Sequence, residues 1–171
     1  GLEPDRHYWY RFRVGNQVSR TGRTRTFPAV GADVAALRFA TLSCQNFPAG
    51  RYAVYRHLAE QDVDVVLHLG DYIYEGAGAA APAAGPDRRH VPFVTLQSLA
   101  DYRVRHAQYR LDPDLQDAHA AHPFVVVPDD HEVVNDQNTS TPADRRANGY
   151  QAYWEHMPLP GSARPQGSSI R

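Results

Sequence analysis

The chain has 171 residues, of which 42% are hydrophobic and 22% charged, and its formal net charge is −1. This composition is typical of a folded globular protein and excludes a disordered chain. A net charge so close to zero gives the whole chain no electrostatic attraction for nucleic acid, and no apolar run approaches the ~20 residues of a membrane span. The single cysteine excludes an internal disulfide.

Residues 1–30 differ in pattern from the rest of the chain. Residues 8–14 alternate aromatic or apolar with polar side chains, Gly15-Asn16 is a turn signal, and residues 21–27 follow as a second, more exposed strand. Tyr8, with Leu2 and Pro4 before it, resembles the tyrosine corner of immunoglobulin-like sandwiches. A two-stranded hairpin is not stable alone in water. We therefore expect either the C-terminal strands of an immunoglobulin- or fibronectin-like β-sandwich domain or a hairpin that packs on the domain that follows.

Residues 38–150 alternate strand and helix signals, which indicates an α/β domain. The predicted strands are residues 38–44, 63–69 and 124–127; the predicted helices are residues 51–61, 96–109, 113–122 and 145–157. We expect the three strands to be adjacent and mostly parallel, with right-handed helical crossovers. The first helix is predicted to place Val54, Leu58 and the pair Tyr52 and Tyr55 on one side. Residues 76–86, rich in Ala, Gly and Pro, are expected to form a mobile loop.

Polar side chains follow each predicted strand. Cys44 ends the first strand, Asp71 and Tyr74 follow the second, and Asp130 and His131 follow the third. In open α/β sheets, chemistry gathers beyond the carboxyl ends of the strands, so we expect these three groups to converge. Asp71 and Asp130 are predicted to share one cluster that Cys44 and Tyr74 face.

The residue types at these strand ends are those that bind metal ions. An aspartate can bridge two cations, a thiolate or phenolate suits a ferric ion, and carboxylate or amide oxygens suit calcium. Two cations held about 3.5–4 Å apart are the usual clamp for displacement at phosphorus. Simpler interpretations stay open: Asp-Asp-His-Glu as a solvated loop, Cys44 as a small buried hydrophobe, and Tyr74 packed on Tyr72.

His131 is interpreted differently from the other histidines. It directly follows the predicted ligand Asp130, so its side chain points elsewhere and can donate a proton to a leaving oxygen. His68, inside the second strand, is predicted to be a core histidine with its hydrogen bonds satisfied. The remaining histidines considered, all interpreted as structural, are His57, His90, His106, His119, His122 and His156.

The motifs in this order resemble those of the PhoD-like alkaline phosphatase family, metallophosphatases related to the purple acid phosphatases. The resemblance rests on Ser43-Cys-Gln45, Gly70-Asp-Tyr-Ile-Tyr-Glu75 and Asp129-Asp-His-Glu-Val133, with supporting segments at residues 56–60, 98–102, 112–115 and 150–157. It covers nearly the whole chain.

The resemblance implies part of a four-layer metallophosphatase α/β sandwich over residues 31–171, preceded by sandwich strands over residues 1–30. It implies that Cys44 and Tyr74 bind a ferric ion, Asp71 bridges, Asp130 binds a second metal, and His131 acts on the leaving group. The implied cofactors are Fe³⁺ and Ca²⁺ in a binuclear or trinuclear site, and the implied activity is hydrolysis of phosphate monoesters or diesters. By the same resemblance the protein is expected outside the cytoplasm, secreted or at the cell surface, although no signal peptide opens this sequence.

The chain departs from the family pattern in places. Asp130 stands where the wider superfamily often has Asn, and Asn135-Asp136 replaces two Asn, which puts a ligand role there in doubt. Motifs with the remaining ligands are missing, so the chain resembles a truncated piece that is expected to be inactive alone. The alternative is a non-catalytic fragment that serves as a binding or structural module. A phosphate ester is the expected substrate, specific nucleic-acid binding is not expected, and the oligomeric state is left open.

Overall fold

The structure is a computed structural model that describes residues 1–169. Seven strands and four α-helices follow one another along these residues. The strands are β1 (His7–Tyr10), β2 (Arg13–Val14), β3 (Gln17–Val18), β4 (Gly22–Arg25), β5 (Phe39–Leu42), β6 (Val65–His68) and β7 (Phe124–Val126). The helices are α1 (Ala53–Ala59), α2 (Leu99–Tyr109), α3 (Pro113–Ala121) and α4 (Ala143–His156).

Strands β5, β6 and β7 form one three-stranded sheet with β6 in the centre. The amide of Asp64 donates to the carbonyl of Arg38, and further along the amide of Leu69 donates to Leu42. Because the paired residue numbers rise together, β5 and β6 run parallel. The predicted adjacent, parallel arrangement is thus confirmed for an α/β sheet, while the hand of the crossovers and the four-layer sandwich remain predictions.

The N-terminal residues form the predicted antiparallel hairpin outside that sheet. β1 pairs with β4 and β2 pairs with β3, in two short ladders. The hydroxyl of Tyr8 accepts a hydrogen bond of 2.7 Å from the amide of Glu3, the upstream backbone contact expected of a tyrosine corner. The β-sandwich domain itself stays a prediction.

The chain divides into two compact units. The first consists of residues 1–41, 52–67 and 113–125, and the second of residues 42–51, 68–112 and 126–169 of the described chain. In the first unit, α3 packs against both α1 and β4. Arg23 on β4 donates to the carbonyl of Ala121 at 3.0 Å, and Arg20 forms an ion pair with Asp117.

The second unit has its core between α2 and α4 and the loops that follow β6 and β7. Its fully buried side chains include Tyr72, Ile73, Leu96, Tyr102, Tyr109, Val133 and Tyr153. None of the helices in residues 1–169 combines the length and apolar content that a membrane crossing requires.

Two sequence predictions about the helices are corrected. Val54 is exposed on α1, while Tyr52, Tyr55 and Leu58 are buried, so the apolar side of that helix is narrower than predicted. Helix α2 begins at Leu99, not at residue 96, because Ser98 and Asp101 form a capping box that satisfies its first amides.

Candidate metal centre

Two loops of the second unit carry the candidate site. The Asp71 loop, residues 70–75, follows β6, and the Asp130 loop, residues 128–136, follows β7. Gly70 has a φ of +99°, and a Cβ on it would lie 2.4 Å from the Cβ of Asp129. Only glycine therefore allows the two loops to approach this closely.

The backbone adopts an unusual conformation at two of the candidate ligands, Cys44 and Asp71. Cys44 and Asp71 have φ angles of 58° and 55°, in the left-handed region that residues other than glycine rarely adopt. The amide of Cys44 donates to the carbonyl of Gly70, and that of Gln45 donates to Asp71, each at 3.2 Å. Such strained residues cluster at functional sites, because the surrounding structure has to stabilise them.

The structure brings Asp71, Asp130 and His131 together. One potential ligand atom from each lies within 4.8 Å of the others, with Asp71 buried and the other two half-buried. Asp71 and Asp130 thus lie close together, as predicted. Their role as metal ligands stays a prediction. By distance alone, His131 can serve either as a third ligand or as a proton donor.

Tyr74 faces this cluster. Its hydroxyl donates to Oδ2 of Asp71 at 3.1 Å, and its ring stacks on the imidazole of His131 with centroids 4.1 Å apart. Burial, followed by the charge of Asp71 and its hydrogen bond, raises the pKa of the Tyr74 phenol. The phenol is therefore protonated in the absence of a cation at mild pH.

Cys44 lies at the edge of the site. Its side chain interacts with the Tyr74 hydroxyl, but it is exposed and does not belong to the group of three ligand atoms. The interpretation of Cys44 as a small buried hydrophobe is wrong, since the side chain is not buried.

One buried oxygen shows that these residues fit a cation. Oδ1 of Asp71 is buried and has no hydrogen-bond partner within residues 1–169. An unpartnered buried carboxylate oxygen is costly, and a cation placed between two carboxylates removes both that cost and their mutual repulsion. Asp71, Asp130 and Tyr74 are oxygen donors suited to a hard or ferric ion.

His131 is oriented by a glutamate from the other loop. Its Nδ1 lies 2.7 Å from Oε2 of Glu75, which leaves Nε2 as the free nitrogen of the ring. Burial opposes protonation of the imidazole, but the hydrogen bond and charge of Glu75, with the charges of Asp71 and Asp130, outweigh it and raise the pKa of His131. The ring is therefore suited to carry a proton.

Three charged residues at the site were not predicted from the sequence. Glu75 accepts a hydrogen bond from a backbone amide of the Asp130 loop, and Glu132 accepts one from a backbone amide of the Asp71 loop. Arg105, fully buried in α2, donates to the carbonyls of Tyr74 and Gly76. Burial lowers the pKa of Arg105 to about 10. In the sequence, Glu75 and Glu132 stand inside the motifs and Arg105 outside them. The spacing of these residues does not distinguish them from solvated charged residues.

His68 is buried as predicted, but its hydrogen bonds are not satisfied. Neither ring nitrogen has a partner within residues 1–169, and the ring packs against Tyr72 with centroids 5.1 Å apart. Burial lowers the pKa of His68 to about 4, so the ring is neutral at pH 7.

The fold and the site together define an α/β protein with a candidate metal centre at the carboxyl ends of a parallel sheet. The family model of the PhoD-like phosphatase matches residues 39–170, and the model of the PhoD-like phosphatase N-terminal domain matches residues 1–28. The chain belongs to the PhoD-like phosphatase family.

Two relatives show the extent of the match. Alkaline phosphatase D of Bacillus subtilis (strain 168) is 46% identical over 183 residues, which cover 100% of this chain and 31% of the relative. A solved structure described as the structure of PhoD superposes with a TM-score of 0.93 at 46% identity, and covers 100% of this chain and 34% of its own. The chain thus spans about a third of the length of these relatives.

Proposed function

We propose that the protein carrying this chain hydrolyses phosphate esters, monoesters or diesters, at a metal centre that includes Asp71 and Asp130. The observation that supports this most directly is the buried Oδ1 of Asp71, which belongs to a cluster of potential ligands and has no hydrogen-bond partner in the described residues 1–169. That cluster lies inside the segment that matches the phosphatase family model.

The proposed ligands are Cys44, Asp71, Tyr74 and Asp130, with Fe³⁺ and Ca²⁺ as the proposed cations. Bound cations would neutralise the phosphate oxygens and activate a water as nucleophile. Two features of Asp71 support a bridging role: its Oδ1 has no hydrogen-bond partner among residues 1–169, and its Oδ2 accepts a hydrogen bond from Tyr74. Binding at Tyr74 requires loss of the phenolic proton that now points at Asp71.

His131 is proposed as the proton donor to the leaving oxygen. Glu75 holds its Nδ1, so the free Nε2 is the nitrogen that can deliver a proton. The hydrogen bond with Glu75 supports this role, because it fixes the orientation of the ring from which the proton would be delivered.

We further propose residues 1–30 as the end of an N-terminal β-sandwich domain and residues 31–171 as the beginning of the catalytic domain. A location outside the cytoplasm is proposed with them, on the family resemblance alone. The alternative function, a non-catalytic binding or structural module, would need no cation at Asp71.

The decisive experiment compares Asp71→Asn with Asp87→Asn, an exposed carboxylate paired with Arg51. Asp71→Asn is expected to remove the bound metal and to abolish hydrolysis of an aryl phosphate, because the proposed bridge between the cations is lost. Metal content by mass spectrometry and turnover are measured on the protein at the full length of its gene product.

Asp87→Asn should retain both metal and activity. Unchanged turnover in Asp71→Asn, or turnover that survives a chelator, would reject the metal mechanism. A wild-type protein without bound metal and without turnover would favour the non-catalytic module.

A further inference from the structure

Glu132 belongs to the Asp130 loop but binds the backbone of the Asp71 loop. Its side chain is fully buried, and Oε1 accepts a hydrogen bond of 2.5 Å from the amide of Tyr72. Oε2 accepts from the amide of Asp129 in its own loop at 2.8 Å. One carboxylate thus connects the residue after Asp71 with the residue before Asp130.

Glu75 makes the opposite connection. It belongs to the Asp71 loop, is buried, and its Oε1 accepts a hydrogen bond of 3.0 Å from the amide of Asn135 in the Asp130 loop. Its Oε2 lies 2.7 Å from Nδ1 of His131 in the same loop. The two glutamates therefore run in opposite directions between the same two loops.

We propose that Glu75 and Glu132 form a reciprocal clasp that holds the Asp71 loop and the Asp130 loop in register for cation binding. Asp71 and Asp130 repel each other until a cation is present. Each glutamate accepts a hydrogen bond from a backbone amide of the opposite loop, so the clasp fixes the two loops on both sides of the site. The free energy needed to hold the two aspartates together is then supplied during folding and not at the moment of binding.

The clasp assigns positioning roles to both glutamates. Neither is proposed as a ligand, because the oxygens of each are engaged with the opposite loop or with a neighbouring amide. The inference rests on the proposed metal centre, and it adds that cation affinity depends on residues outside the ligand set. A purely structural role would affect the stability of the fold and leave the cation affinity of the folded chain unchanged.

The test is calorimetric titration of the metal-depleted, full-length gene product with Tb³⁺, a hard trivalent cation that oxygen ligands bind. Glu75→Gln and Glu132→Gln keep the size of each side chain but remove its negative charge and replace one of its two accepting oxygens with an NH₂ group. We expect each to weaken Tb³⁺ binding on the order of 10- to 100-fold, the usual loss for residues that support metal ligands. Circular dichroism establishes a temperature at which every variant is folded.

Two further variants separate the possible outcomes. Glu155→Gln removes a carboxylate of the same unit that is paired with Arg103, and its Tb³⁺ affinity should equal that of the wild-type chain. Asp71→Asn should abolish binding at the cluster. Should Glu132→Gln fail to fold, Glu75→Gln alone decides the question.

Wild-type affinity in Glu75→Gln, together with lost binding in Asp71→Asn, would overturn the clasp and leave the metal centre standing. Undiminished binding in Asp71→Asn would instead overturn the metal centre at this cluster, and the clasp with it.

Discussion

At the scale of single residues, the site depends on backbone conformations that are costly elsewhere. Asp71 and Cys44 adopt left-handed φ angles. Gly70, which directly precedes Asp71, lies so close to Asp129 that a Cβ at this position would overlap with it. Each costs conformational free energy that the contacts between the loops must offset. The same geometry aims Asp71 at Asp130, which is the arrangement that a shared cation needs.

The proposed proton donor at this scale is His131, and its replacement tests the assignment. A donor matters in proportion to how badly the leaving group needs a proton, so His131→Ala should lower the rate on an alkyl phosphate by about 10²–10⁴. The loss should be much smaller on an aryl ester whose leaving oxygen departs as a stable anion. Steady-state rates on both esters are measured with the full-length gene product.

His57→Ala, on the exposed side of α1, is the matched control and should change neither rate. Equal losses on the two esters would show that His131 is a metal ligand or a substrate-binding residue and not the acid. That result would agree with the other role that its distance to Asp71 and Asp130 permits.

At the scale of secondary-structure elements, helix α4 supports the Asp130 loop through its one glycine. A Cβ on Gly149 would lie 2.8 Å from the carbonyl oxygen of Glu132 and 2.9 Å from Cγ2 of Val133. The helix thus packs closely on the segment that carries the candidate ligands. Helix propensity alone would favour alanine at this position by about 1 kcal/mol.

In Gly149→Ala, the higher helix propensity of alanine favours folding, while the overlap of its Cβ with neighbouring atoms opposes it. We expect the overlap to have the larger effect. The overlap with backbone and with a buried valine should lower the free energy of unfolding by about 1–3 kcal/mol, as overpacking usually does. Urea denaturation followed by circular dichroism measures the change. Gly161→Ala, which meets no atom within 4 Å, should be nearly neutral, and a stabilised Gly149→Ala would show that α4 is free to move away.

At the scale of the whole molecule, buried histidines make the fold sensitive to acid. Burial lowers the pKa values of His68 and His90 to about 4, and that of His106, which is also near His156 and Arg110, well below its usual value. Their folded-state pKa values lie below the unfolded value near 6.5, so the unfolded chain binds more protons in between. The stability they contribute is complete above about pH 6.5 and is lost as the pH falls toward 4.

His68→Phe tests this dependence at a residue whose two ring nitrogens have no hydrogen-bond partner among residues 1–169. The aromatic ring can keep its contact with Tyr72, and the acid sensitivity due to His68, up to about 3 kcal/mol between pH 6.5 and 4, should disappear. The free energy of unfolding is measured by urea denaturation across that range. His7→Phe, at an exposed position, should leave the slope unchanged; an equal slope in His68→Phe would mean that the buried ring titrates normally.

Much of the architecture was determined by local sequence pattern. The strands at residues 65–68 and 124–126 were predictable because their apolar runs end at Gly70-Asp71 and Pro128-Asp129, and the strand at residues 39–42 from its own short apolar run. The parallel sheet then brings the strand ends to one edge, so the proximity of Asp71 and Asp130 followed from strand order alone. The start of α2 was predicted three residues too early, although Ser98 and Asp101 have the spacing of a capping box.

Only the tertiary structure decided which polar residues form hydrogen bonds with one another. Glu75 and Glu132 bind amides and an imidazole that are 56 to 60 residues away along the chain, and no periodicity in the sequence relates such distant groups. The exposure of Val54 and the missing partners of His68 were undecidable for the same reason, because burial and hydrogen bonding depend on which elements pack against them. Local pattern places a residue on an element, whereas its chemical surroundings come from segments that are remote in sequence.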